Sequence, residues 1–148
     1  METTYWQTRQ QSGSTPSAGA DTGDVVLAKT TTVTTTADGL AASASMQLPT
    51  GAQILEINVD TMLTPVVGGG SATTVPVTVG TAAAGTQYMS AVDLVAGGRA
   101  APTLTTAQLA AMANIGNNTS VFITADPNGT VSTTQGVYRL TVRYRMAQ

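Results

Sequence analysis

Apolar and polar residues alternate most regularly at the end of the chain. From Val137 to Met146, Tyr138, Leu140, Val142, Tyr144 and Met146 fall on one side, and Val137, Arg139, Thr141, Arg143 and Arg145 on the other. Successive side chains of a strand point to opposite faces of its sheet, so this period of two predicts a half-buried strand with an apolar inner face and a basic outer one. A second strong strand is predicted over Gln53–Leu63, with Leu55, Ile57, Val59, Thr61 and Leu63 inward and Glu56, Asn58 and Asp60 outward. Weaker strand patterns run over Val25–Thr36 (one long strand, or two with a bend), Ala41–Leu48, Thr74–Val79, Thr86–Val95 and Ser120–Ala125. In Thr74–Val79 the inward residues are Val75, Val77 and Val79, and in Thr86–Val95 they are Tyr88, Val92 and Leu94.

Turn chemistry separates these runs: Ala37-Asp38-Gly39, Pro49-Thr50-Gly51, Gly80–Gly85, the loop Gly97–Pro102 and Asp126-Pro127-Asn128-Gly129. Thr130–Gln135 reads as a polar connection or a short strand. Thr105–Ala113 is the one predicted helix, capped by Thr105 or Thr106, with Leu109, Met112 and Ala113 as its apolar stripe. About seven or eight short strands at near-regular spacing predict an all-β fold, a jelly-roll-like antiparallel β-sandwich. With one short helix there is nothing to build parallel βαβ units.

Composition changes the picture at both ends of the chain. Residues 1–24 are polar and of low complexity from Gln7 onward, and bury too little apolar area to offset their conformational entropy alone. Tyr5 and Trp6, the latter the only Trp, stand out against that background. The division is therefore an extended N-terminal arm over 1–24 and a β-sandwich domain over 25–148. Tyr5, Trp6 and Arg9 are candidate contacts of the arm with a neighbour, and a flexible tail with an incidental aromatic pair is the plainer alternative. The chain is rich in Thr (28) and Ala (22), and only 9% of it is charged, against about 25% in an average domain. Such a surface suits a protein covered by copies of itself or by partners, and equally a β-protein that uses Thr where others use Lys.

Charge and residue inventory then exclude several chemistries. A net charge of −2 gives no electrostatic case for nucleic acid or an anionic membrane. There is no Cys and no His, which removes disulfides, thiol catalysis and His-based acid–base work, and no metal or other cofactor is expected. The N-terminus has no apolar h-region, so no secretory signal is expected, and no run approaches the ~20 apolar residues of a membrane span. Glu56 and Asp60 lie four apart on one strand, roughly 13 Å, too far for a retaining glycosidase pair. No catalytic residues emerge, and a non-enzyme is expected. The informative pair is the acidic face carrying Glu56 and Asp60 and the basic face carrying Arg139, Arg143 and Arg145. If the two strands are neighbours, the charges pair within the chain; if not, they are free to meet opposites on another subunit, or to remain solvated.

Several stretches together carry a resemblance: Leu48-Pro49-Thr50-Gly51-Ala52-Gln53-Ile54-Leu55-Glu56-Ile57, Val77-Thr78-Val79-Gly80-Thr81 and Val137–Tyr144, following a polar arm. The chain resembles small jelly-roll virion proteins of tailed bacteriophages, including capsid decoration (cement) and head or tail accessory proteins. The resemblance covers residues 25–146 and rests on the style and order of segments. It implies a non-enzymatic structural subunit of the virion, made in the host cytoplasm. Its implied partners are copies of itself, with a trimer favoured, and the major capsid protein or another virion component. A fibre, spike or connector subunit is the second reading, and a carbohydrate-binding β-sandwich the third.

Overall fold

The computed structural model describes residues 25–66, 71–130 and 135–146. Its strands are β1 (Leu27–Thr34), β2 (Ala42–Gln47), β3 (Ala52–Leu63), β4 (Pro76–Gly80), β5 (Met89–Asp93), β6 (Arg99–Ala100), β7 (Ser120–Ala125) and β8 (Val137–Met146). Helix α1 (Thr106–Ala113) joins β6 to β7. The strands form two sheets, one in the order β1-β8-β3-β6 and the other β2-β7-β4-β5. Every pairing is antiparallel, and the pairs are nested: β1 with β8, β2 with β7, β3 with β6 and β4 with β5. A long ribbon, doubled back at the β4–β5 turn, is rolled so that β8 also meets β3 and β7 also meets β4. Nested pairing in two four-stranded sheets is jelly-roll topology, so the fold class expected from the strand pattern is the one observed.

The core lies between the sheets and is supplied by alternate residues of the central strands. Ile57 and Val59 of β3 and Tyr138, Leu140 and Val142 of β8 face Val121 and Ile123 of β7 and Val77 and Val79 of β4, all buried. Pro76 opens β4 inside the sheet and is tolerated there because a first-residue Pro removes no ladder donor that the strand needs. Edge strand β1 is exposed over most of its length. Its Lys29 closes one side of the sandwich by donating from Nζ to the Gln47 carbonyl of the other sheet at 2.7 Å.

Strict alternation fails in β3. The β3–β8 register shifts between Ile54 and Glu56 and again between Thr61 and Leu63. Ile54 therefore faces the core, Leu55 turns out to solvent, and the period resumes with Ile57 inward. Leu55 and Leu63, expected inside, are both exposed, as is Met62. A bulge inserts one residue on one strand and reverses the facing of the residues beyond it, which a fixed period cannot accommodate. Met146, also expected inside, is exposed at the last position of β8. The expected loop Gly97–Pro102 contains the two-residue edge strand β6.

Helix α1 starts at a capping box. Thr105 Oγ1 accepts from the Gln108 amide N–H at 3.2 Å, and Gln108 Oε1 accepts from the Thr105 N–H at 2.9 Å. The stripe is not Leu109-Met112-Ala113; Leu109 is exposed, and the helix buries Gln108 and Met112. Gln108 Nε2 donates to the Thr86 carbonyl at 2.9 Å and to Ser90 Oγ at 3.1 Å, fastening the helix to the segment before β5 and to its second residue. A polar side chain is buried here because every one of its hydrogen-bonding groups is used. Gln108→Ala strands those partners, and its expected cost is about 2 kcal/mol, read from the urea midpoint. An unchanged midpoint would show that water replaces the amide without loss.

Candidate assembly surface

β3 and β8 are neighbours, so the acidic and basic faces meet within the chain. The register sets Gln53 opposite Arg145, Glu56 opposite Arg143, Asn58 opposite Thr141 and Asp60 opposite Arg139. On the other side of β3, Asp60 is opposite Arg99 of β6. All of these side chains lie on the outer face of the β1-β8-β3-β6 sheet, because the intervening residues Ile57, Val59, Leu140 and Val142 are buried.

The contacts follow the register. Asp60 is the hub: its Oδ2 accepts from Arg139 Nη2 at 3.1 Å and its Oδ1 from Arg99 Nε. One carboxylate thus ties three strands together. Arg143 Nη1 donates to Glu56 Oε2 at 2.9 Å, and Asn58 Nδ2 donates to Glu56 Oε1 at 2.6 Å. Arg145 Nε donates to Gln53 Oε1 at 2.6 Å. The Arg99 hydrogen bond, with Arg139 adding to it against the opposing effect of burial, holds the Asp60 carboxyl below its ordinary value. Glu56 is lowered chiefly by the Asn58 hydrogen bond and then by Arg143.

A carboxyl whose folded pKa lies below its unfolded one contributes stability above the unfolded value and loses it as pH falls through the folded one. For Asp60 the loss therefore starts near its ordinary value of 3.8 and proceeds downward. Asp60→Asn is expected to cost about 1 kcal/mol at neutral pH, a small figure because Arg99 is largely solvated and Arg139 partly so. It is also expected to flatten the fall in stability below about pH 4. Urea midpoints of the two proteins across pH 2–7 check this, and parallel curves would contradict it.

The bulges add an apolar component. Leu55 stands exposed next to Glu56, and Met62 and Leu63 follow Asp60, so apolar side chains bracket the ion pairs. The outer face of the second sheet is different in kind. It carries Ser43 bonded to Thr124, and Gln47 bonded to Ser120, with no charge on β2, β4 or β7. Thr124 is buried there because the β4–β5 connection folds over it and donates the Ala84 N–H to its hydroxyl at 2.8 Å.

Sequence reasoning finds Glu56, Asp60, Arg139, Arg143 and Arg145, places Asn58 on the outer face without giving it a role, and misses Arg99 and Gln53. Arg99 sits in a strand of two residues, too short for any periodicity. The apolar doublets Ile54-Leu55 and Met62-Leu63 are the readable signs of the bulges, since a strict alternation cannot place both members of a doublet inside. Tyr5, Trp6 and Arg9 lie outside the described residues.

These features define a jelly-roll β-sandwich whose β1-β8-β3-β6 face carries paired charges, while β2, β4 and β7 of the other sheet carry none. No protein-family model matches the chain, and no curated protein matches it. Among solved structures it shares its fold with a chain of the cyanophage Pam1 capsid asymmetric unit, with a TM-score of 0.62 and 20% identity over 87% of this chain and 90% of that one. A looser likeness is to a chain of the acidic stable capsid of Helicobacter pylori bacteriophage KHP30, with a TM-score of 0.44 and 12% identity over 82% of this chain and 95% of that one.

Proposed function

We propose that the chain is a non-enzymatic structural protein of a bacteriophage virion, and specifically a decoration (cement) protein that stabilises the head. The observation that carries this reading is the end-to-end fold match with a chain of a phage capsid asymmetric unit. Coverage is nearly the same in both directions, so the two chains are of similar length, and the match is to a small subunit rather than to one part of a large one. The face built from Asp60, Glu56 and their arginines, bracketed by Leu55 and Met62, offers polar register and apolar anchorage to a neighbour. Residues 1–24 serve as the arm that reaches the capsid, with Tyr5 and Trp6 as its anchor, and the sandwich bridges subunits as a homo-oligomer, a trimer being favoured.

The aromatic side chains speak against a carbohydrate module. Tyr88, Tyr138 and Tyr144 are all buried, which leaves Phe122, half-buried, as the aromatic on a sheet surface among the described residues. Sugar sites rely on exposed aromatic platforms. The groove between α1 and the segment before β5 is lined by Thr86, Ser90 and Gln108, but the Gln108 amide is already fully bonded within the protein.

The test is copy number in purified particles, read from band intensity against the major capsid protein. Hundreds of copies per particle are expected for a decoration protein. Tens or fewer would transfer the chain to a fibre, spike or connector, and absence from the particle would overturn the virion reading.

A further inference from the structure

Charge is segregated on this molecule. The outer face of the β1-β8-β3-β6 sheet carries Arg99, Arg139, Arg143 and Arg145 against Glu56 and Asp60, a net of +2 on a chain whose net charge is −2. Its two most solvated cations, Arg99 and Arg143, have side chains 64% and 53% exposed. Each spends one N–H on a carboxylate and keeps others of its five donors for a further acceptor.

The opposing charge lies at one end of the sandwich. Asp38 is in the β1–β2 turn, Asp126 follows β7, and Asp93 ends β5. These are brought together by the rolled topology. Asp126 donates its N–H to the Pro76 carbonyl, Pro76 is registered with Asp93, and the β1–β2 turn abuts the β7–β8 loop at Gly39 and Gly129. That abutment is so close that a Cβ on Gly39, which has φ +78, would lie 2.6 Å from the Gly129 carbonyl oxygen. All three aspartates are exposed, and none forms an ion pair among the described residues.

We propose that the acidic end of one copy, carrying Asp38, Asp93 and Asp126, docks on the arginine face of the next. Arginine face against arginine face is disfavoured, because a net +2 would meet a net +2. The complement is on a different part of the same chain, which makes the contact heterologous, of the kind that closes into a ring or continues as an open array. Leu55, Met62 and Leu63 flank the charges and lose solvent on contact, while the charges choose the register. This inference rests on the reading of the chain as a structural subunit that meets copies of itself.

The test is sedimentation of the full chain with two charge-reversed variants. Arg99→Glu/Arg143→Glu turns the face from +2 to −2, and Asp38→Lys/Asp126→Lys turns the end from −3 to +1. The native chain is expected to self-associate at low salt and to weaken as salt rises. Each variant alone is expected to associate at least tenfold more weakly, and an equal mixture of the two to recover association, since each then supplies the other's complement. Circular dichroism confirms folding, and Arg99→Gln/Arg143→Gln replaces the first variant if it fails to fold. A native chain that is monomeric at low salt, variants that associate as tightly as the native chain, or a mixture that stays dissociated would each overturn the proposal. Loss of particle binding by the face variant with self-association unchanged would also overturn it, assigning the face to the capsid instead. Particle copy number is measured separately, so the virion reading stands or falls on its own.

Discussion

Tyr138→Ala is expected to lower the stability of the folded chain by about 3–5 kcal/mol, the range for removing a fully buried aromatic side chain from a packed core. Tyr138 is wholly buried on β8, the strand that pairs with both β1 and β3. Its ring packs against the backbone of Gly136, where an added Cβ would lie 2.7 Å from the phenol oxygen. The cavity has little means of collapse, because the neighbours on that sheet are held by two ladders. The hydroxyl matters much less. It donates to the Leu94 carbonyl across 3.5 Å, too long for a strong bond, so Tyr138→Phe is expected to cost under about 1 kcal/mol. Burial, with the Asp93 charge as a second cause, pushes the phenol up to about 12 from 10.0. The neutral form is thus favoured by folding, and its contribution is present below pH 10 and lost as pH rises through about 12. Urea denaturation of both variants separates ring from hydroxyl, and equal losses would contradict the assignment.

The second large effect is on assembly. Removing residues 1–24 is expected to abolish binding to particles while leaving the sandwich folded. Among the described residues the first buried core residue is Val33, and Val25 is 72% exposed, so the core they form begins well past the deletion point. Fully extended, 24 residues reach roughly 80 Å, well beyond their own domain. Two adjacent aromatics in an otherwise polar stretch supply the kind of anchor that dominates contact energies. The unfolding midpoint is expected to stay within about 0.5 kcal/mol of the full chain. Occupancy of stripped heads by the truncated chain, compared with the full one, is the measurement, and normal occupancy would sink the arm.

The elements that can be read from residues alone are those whose side chains alternate without interruption. β8 and β7 occur at the residues where the pattern predicts them, because Val137–Met146 and Ser120–Ala125 have clean edges marked by Gly, Asn and Asp. The pairing of Glu56 with Arg143 and of Asp60 with Arg139 is open at the level of sequence, since strand order is a property of the rolled ribbon and not of any one strand. The pattern places β3 correctly but phases it incorrectly at Leu55, where a bulge costs one residue of register and no local pattern announces which member of a doublet turns out. In α1 the buried stripe is offset by one position from the apolar one. Pattern alone does not put an amide inside, yet Gln108 is buried because Thr105, Thr86 and Ser90 satisfy it. Arg99 escapes a periodicity reading because its strand exists only through its neighbour.

The most direct measurement of the chain's role is a reconstruction of the particle that carries it. Eight-stranded sandwich density repeated at the capsid surface, with the face of Asp60 and Arg143 or the arm in contact with neighbouring subunits, is the expected result. A capsid surface bare of such density would contradict the decoration role.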